Sequence, residues 1–109
     1  MEEITMYYQL TFYVPETHLE IVKNALFAIG TGKIGDYDHA CWQCLGKGQF
    51  RPLPGANPTL GEHDVITYVT EYKVEMLCDV DLIHDAVHQL KESHPYEEPA
   101  YAVAKIEQF

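Results

Sequence analysis

His94-Pro95-Tyr96-Glu97-Glu98-Pro99-Ala100-Tyr101 is the stretch that decides the fold of this chain. Pro95 cannot continue a helix and pushes His94 toward extended geometry, and Pro99 does the same to Glu98. The stretch therefore stops one element, presents an imidazole, a phenol and two adjacent carboxylates on stiff backbone, and passes the chain to the next element. Before it, Ile83, Ala86, Val87 and Leu90 recur at helical spacing, with Asp79 or Asp81 placed to cap the start. After it, residues 100–106 read as a strand.

Working outward, residues 6–14 alternate. Met6, Tyr8, Leu10, Phe12 and Val14 share one face, and Tyr7, Gln9, Thr11 and Tyr13 the other. Pro15 and acidic Glu16 suit a helix start; Leu19, Val22, Leu26 and Ile29 form its stripe, and Gly30 stops it. A glycine-rich loop follows, then an extended region over 39–53 interrupted at Gly46-Lys47-Gly48, a turn cluster at 54–58, and a long strand region over 62–78. The order strand, helix, strand, strand, helix, strand predicts an α+β ferredoxin-like split βαβ domain, an antiparallel sheet with both helices on one face. Two helices leave the Tyr7, Gln9, Thr11, Tyr13 face uncovered. That face is too aromatic to be solvated throughout, which predicts association through the sheet into a homo-oligomer.

The 109 residues fit a single domain, 1–109. Seventeen acids against seven bases give a net charge of −10, which repels phosphate backbones and excludes a nucleic-acid binder. Lys33, Lys47 and Arg51 fall in one stretch that would serve a small anion at most. Residues 1–4 carry no basic start or apolar run of signal-peptide length, and no stretch approaches a membrane span. Three cysteines do not make a disulfide framework, and a reduced, cytoplasmic setting is expected.

Several segments together carry a family resemblance. Gly32-Lys33-Ile34-Gly35-Asp36-Tyr37, Pro54-Gly55-Ala56-Asn57-Pro58, Gly61-Glu62 and His94–Tyr101 resemble the YqfO-type insert domain of Nif-three-like proteins, in family order and over almost the whole chain. The His-Pro-Tyr-Glu element is also similar to that of CutA proteins. The resemblance implies a fold like CutA and PII signalling proteins and a trimer built through the sheets. The larger domain that holds a two-metal site in full-length relatives is missing, so a stand-alone insert is expected, with no inherited hydrolase activity. Val80 departs from the pattern, which has proline at that helix start.

Each motif has a plainer explanation beside it. Gly30-Thr31-Gly32-Lys33-Ile34-Gly35 matches G-x-G-x-x-G but follows a helix and leads into a strand, so a dinucleotide site is excluded. Gly32, Lys33 and Gly35 could instead cradle an anion at a subunit edge, or simply make a tight connection. Cys41 and Cys44 match C-x-x-C without a following helix, and on a strand they face opposite ways, which suits small apolar residues better than redox chemistry. His39 and Cys41 are expected on the same strand face, where with His63 or His94 and with Glu97 or Glu98 they could assemble a transition-metal site across a subunit boundary. Otherwise, His39 and His94 are hydrogen-bonded structural histidines. His84 and His88, one turn apart, belong to a solvated helix face. Consecutive Glu97 and Glu98 diverge in extended chain and make a poor acid–base pair. Ser93 lacks a triad.

The sequence thus predicts a non-catalytic, oligomeric binding or regulatory module. Small-ligand or partner-protein sites would lie at subunit clefts lined by the 32–39 loop and the 94–98 turn, with Gly32, Lys33, Gly35, Tyr37 and Tyr96 as binding residues. The alternative is a CutA-like protein in which His39, Cys41, His94, Glu97 and Glu98 hold a divalent transition metal. A small enzyme using His39 or His94 is a third reading, without a nameable catalytic partner.

Overall fold

Alternating apolar residues at the chain start form β1, Tyr7–Val14, whose Leu10, Phe12 and Val14 are fully buried. In the computed structural model, which describes residues 6–109, a 3-10 turn then leads into α1, Leu19–Ala28. The remaining elements are β2, Trp42–Phe50, β3, Thr67–Asp79, α2, Ile83–Ser93, and β4, Tyr101–Ile106. The strands form one antiparallel sheet in the order β2-β3-β1-β4. This is the expected α+β split βαβ plan. The N-terminal residues read for a targeting signal lie outside the described part. Among the described residues, no helix is long and apolar enough to cross a membrane.

The core lies between one sheet face and the two helices. Leu10, Phe12 and Val14 of β1 and Val74, Met76 and Cys78 of β3 meet Val22 and Leu26 of α1 and Ala86 and Leu90 of α2. The register sets this pattern: Leu10 opposes Met76, and Phe12 opposes Val74. In an antiparallel pair, directly opposed residues share a face.

Three expectations are corrected. β2 runs unbroken through Gly46-Lys47-Gly48, because β3 supplies ladder partners at Glu71, Thr70 and Val69. Its regular part begins at Trp42, and His39 has φ 56°, a left-handed conformation outside the strand. His39 and Cys41 therefore do not share a strand face. β3 begins at Thr67 rather than near Glu62, since Gly61 at φ 90° and Asp64 at φ 63° turn the chain first.

Local capping is specific. The Asp79 carboxylate accepts from the Asp81 N–H at 2.9 Å. Val80, where the resemblance leads one to expect proline, donates its N–H to the Met6 carbonyl at 3.2 Å. A proline could not make that bond. Gly30 at φ 99° ends α1 as expected.

Candidate functional site

The sheet face away from the helices is open along most of its length but not at one end. There the connection between β2 and β3 folds back over the sheet and meets the turn that follows α2. Thr59 donates its hydroxyl to the Pro95 carbonyl at 2.9 Å, and the Asn57 N–H donates to the Glu97 carboxylate at 3.2 Å. The connection also ties to itself, through the Asp64 N–H to the Pro52 carbonyl at 2.6 Å and the His63 ring to the Ala56 carbonyl at 2.7 Å. Five of the six prolines, all but Pro15, lie in these two segments, which limits their backbone freedom.

Between them lies a pocket of about 260 Å³. Tyr13 of β1, Phe50 of β2, and Val69 and Glu71 of β3 line its floor, with Tyr96, Glu97 and Glu98 from the turn and Pro52, Pro58 and Leu60 from the connection. Val69 is buried although it lies out of phase with the core residues Val74 and Met76. It belongs to the opposite sheet face, and the folded-back connection is what covers it.

His94 pins the turn to the sheet. It is only 6% exposed. Its Nε2 bonds the Tyr13 carbonyl at 2.7 Å, and its Nδ1 accepts the Tyr96 N–H at 3.1 Å. A nitrogen that accepts carries no proton, so the ring is the neutral tautomer with the proton on Nε2. Burial pushes the imidazole below its ordinary pKa, against a smaller opposing pull from the Tyr13 carbonyl. Beyond the bond to its own N–H, the Tyr96 ring lies 5.0 Å from the imidazole and 6.4 Å from Phe50, centroid to centroid.

Burial raises the Glu71 carboxyl above its ordinary pKa, and burial, then the Glu71 charge, raises the Tyr96 phenol. Gly48 matters to this placement. A Cβ there would collide with the Glu71 carboxylate. Glu71→Gln is expected to raise the melting temperature at pH 7, because it removes a partly desolvated charge. The native state holds the Glu71 proton more tightly than the unfolded chain, so the gain should shrink as pH falls below the raised pKa, toward 4.5 and lower. Calorimetric melting of both proteins at pH 7 and pH 4 checks this.

The other sequence-predicted residues lie at the opposite end. Gly32 donates its N–H to the Leu77 carbonyl at 2.8 Å, and Leu77 opposes Gln9 on β1. The His94 bond is at Tyr13, four residues or about 13 Å further along the strand. Within one chain, then, the 32–39 loop and the 94–98 turn do not meet. Gly32's amide is committed inside the chain. Lys33 and Gly35 line a separate depression together with Asp79 and Asp81, where two carboxylates oppose a single ammonium. Tyr37 is exposed beside a tight turn in which Ile34 and Tyr37 exchange backbone bonds at 2.8 and 3.0 Å.

Of the proposed metal ligands, His39 is exposed, with Nδ1 3.1 Å from the Asp38 carboxylate and its ring 4.7 Å from Phe27. Cys41 packs against the core. Both His94 nitrogens are engaged. Among the described residues, no group of three or more His, Cys, Asp or Glu is placed to hold a metal ion. His84 and His88 are exposed on α2, as expected. Phe50 and Glu71 carry no signal of their own in the sequence, and Tyr13 stands out there only as part of the uncovered sheet face. The concentration of prolines in the two segments was the available signal.

No family model matches the chain. Among curated proteins it is 38% identical over 94 residues to the "GTP cyclohydrolase 1 type 2 homolog" of Halalkalibacterium halodurans, covering 86% of this chain and 25% of that one. The chain thus spans about a quarter of the length of the curated relatives it matches. Among solved structures, a Bacillus cereus protein related to NIF3 superposes with TM-score 0.84 at 29% identity, covering 98% of this chain and 27% of that one. The periplasmic divalent cation tolerance protein CutA of Archaeoglobus fulgidus gives TM-score 0.67 at 16% identity, covering 95% and 87%. Arabidopsis thaliana PII bound to citrate gives 0.61 at 15%, covering 94% and 77%.

Proposed function

We propose, from the chain's homology to one segment of the NIF3-related proteins and from its CutA/PII-like fold, that it is a non-catalytic, homo-oligomeric binding module. The observation that carries this reading is the pocket itself. Two segments some forty residues apart are cross-bonded over the open sheet face and held there by a buried histidine. Among the described residues, no serine, cysteine or histidine lines the pocket, so it holds no thiol or hydroxyl paired with an imidazole base.

Association rests on the rest of that face. Tyr7, Thr11 and Leu77 are half-buried on it and Trp42 is 59% exposed, while β4 adds Ala102, Ala104 and Ile106 there. Small residues let another sheet approach closely, and the aromatics gain from being covered. A trimer is the assembly we favour. Thr11→Arg sets a charge at the centre of this face and should convert the oligomer to folded monomer. Native mass spectrometry with circular dichroism reads both. A wild-type protein that is monomeric at micromolar concentration overturns the association, and a co-purifying small-molecule mass supports the binding role.

A transition-metal site is the second reading. One observation favours it: the His39 side chain is 61% exposed and meets the Asp38 carboxylate through Nδ1. A second copy of the chain would have to complete the ligand set. Stoichiometric metal in the oligomer that is lost in His39→Ala supports it, and metal-free oligomer counts against it.

A further inference from the structure

Three aromatic rings and three carboxylates line the pocket, and no lysine, arginine or histidine does. Glu97 is partly satisfied by the Asn57 N–H. Glu71 takes part in no ion pair among the described residues. It stands in a mostly apolar recess, against Val69 and between the Tyr13 and Tyr96 side of the pocket and Phe50.

We propose that the pocket takes an organic cation of small-molecule size, an ammonium or amidinium group on an apolar body. The cation would lie at Glu71, with the aromatic rings around it and its apolar body against Phe50, Val69 and Pro52. This inference rests on the reading of the pocket as a ligand site.

Four observations carry it. At about 260 Å³ the pocket is at the small end of ligand sites, enough for a ring and a short chain but not for a nucleotide. The uniform sign of its charges repels phosphates and carboxylates and attracts cations. A carboxylate held in apolar surroundings gains more from an incoming cation than one in water does, because the pairing offsets a desolvation cost already incurred. Aromatic faces beside a carboxylate add cation–π attraction, which a neutral ligand of the same shape would not feel.

Phenethylamine and benzamidine are suitable probes, with benzyl alcohol and benzoate as neutral and anionic counterparts, titrated into the full chain by calorimetry or amide chemical shifts. The amine and amidine are expected to bind saturably, with shifts at Tyr96 and Val69, at least about tenfold more tightly than benzyl alcohol, and benzoate not at all. Glu71→Gln should lose that tenfold preference while keeping the benzyl alcohol affinity and a folded spectrum. Glu92→Gln, a charge change on the exposed side of α2, should leave binding unchanged. Equal binding of benzyl alcohol or benzoate overturns the charge preference but leaves the pocket standing as a ligand site. An undiminished preference in Glu71→Gln overturns the role of Glu71. Failure of every probe to shift a pocket residue overturns the cation site, and a separate co-purifying ligand in the native mass spectrum would then tell whether the binding module itself survives.

Discussion

His94→Ala is expected to lower the unfolding free energy by about 3 kcal/mol, a large share of a small domain's total. The substitution removes two hydrogen bonds from a residue that is only 6% exposed, and it leaves the Tyr13 carbonyl and the Tyr96 N–H without partners. Each orphaned group costs about 1–3 kcal/mol if it stays buried, and rearrangement that lets in water recovers part of this. The turn should loosen as well, so signals from Tyr96 and Phe50 should broaden. His94→Gln keeps a donor near the position of Nε2 and should recover part of the loss. Urea titrations of the three proteins measure the differences. A loss below about 1 kcal/mol in His94→Ala would mean that the turn is held mainly by the Thr59 and Asn57 bonds.

The same histidine gives the protein an acid limit. Its folded pKa lies below the unfolded value of 6.5, so between the two the unfolded chain binds more protons. The stability it contributes is present in full above about 6.5 and is lost as pH falls through that value toward the lowered one. Protonation also puts a hydrogen on Nδ1, where it opposes the Tyr96 N–H. Between pH 7 and pH 5 the wild-type protein should therefore lose more stability than His94→Gln does.

Phe12→Ala is expected to cost about 4 kcal/mol, the largest effect of any single truncation considered for this chain. Phe12 is fully buried in the middle of β1, paired with Val74 on one side and Tyr101 on the other. Its ring fills the space between the sheet and both helices, and the neighbouring side chains sit on a rigid ladder that cannot collapse into the gap. Thermal and urea unfolding would both read the loss. If Phe12→Ala costs less than about 2 kcal/mol, the core is looser than its burial implies.

Much of this architecture is legible in the sequence because it is written in local period. The alternation of Leu10, Phe12 and Val14 and the stripes Leu19–Val22–Leu26 and Ala86–Leu90 mark the buried faces directly, and the paired prolines around His94 mark the stop. The elements that escaped a sequence reading are those whose cause is distant. Gly46-Lys47-Gly48 looks like a break but is held as strand by the β3 ladder. His39 looks like the start of a strand but sits at positive φ beside Phe27. Val69 and Glu71 fall on the polar phase of β3, and only the return of residues 51–66 across the sheet makes a pocket of them. Tyr96 and the turn carboxylates, by contrast, were legible as candidates because a stiff proline-bounded turn already sets them apart.

Thr67–Glu71 pairs with β2 but not with β1, whose contacts with β3 begin at Tyr72. This part of β3 and its β2 partners form a two-stranded arm beyond the reach of the helices, and such a ribbon is marginally stable by itself. Phe50, Val69 and Glu71 of the pocket floor lie on that arm, whereas Tyr13, Phe12 and Leu10 lie on the helix-backed part. The arm side of the recess is therefore expected to open separately from the core, at a lower free energy of amide exchange. An occupant of the recess would slow exchange along the arm first, and the energy it supplied would be spent on local closure before any reached the global unfolding transition.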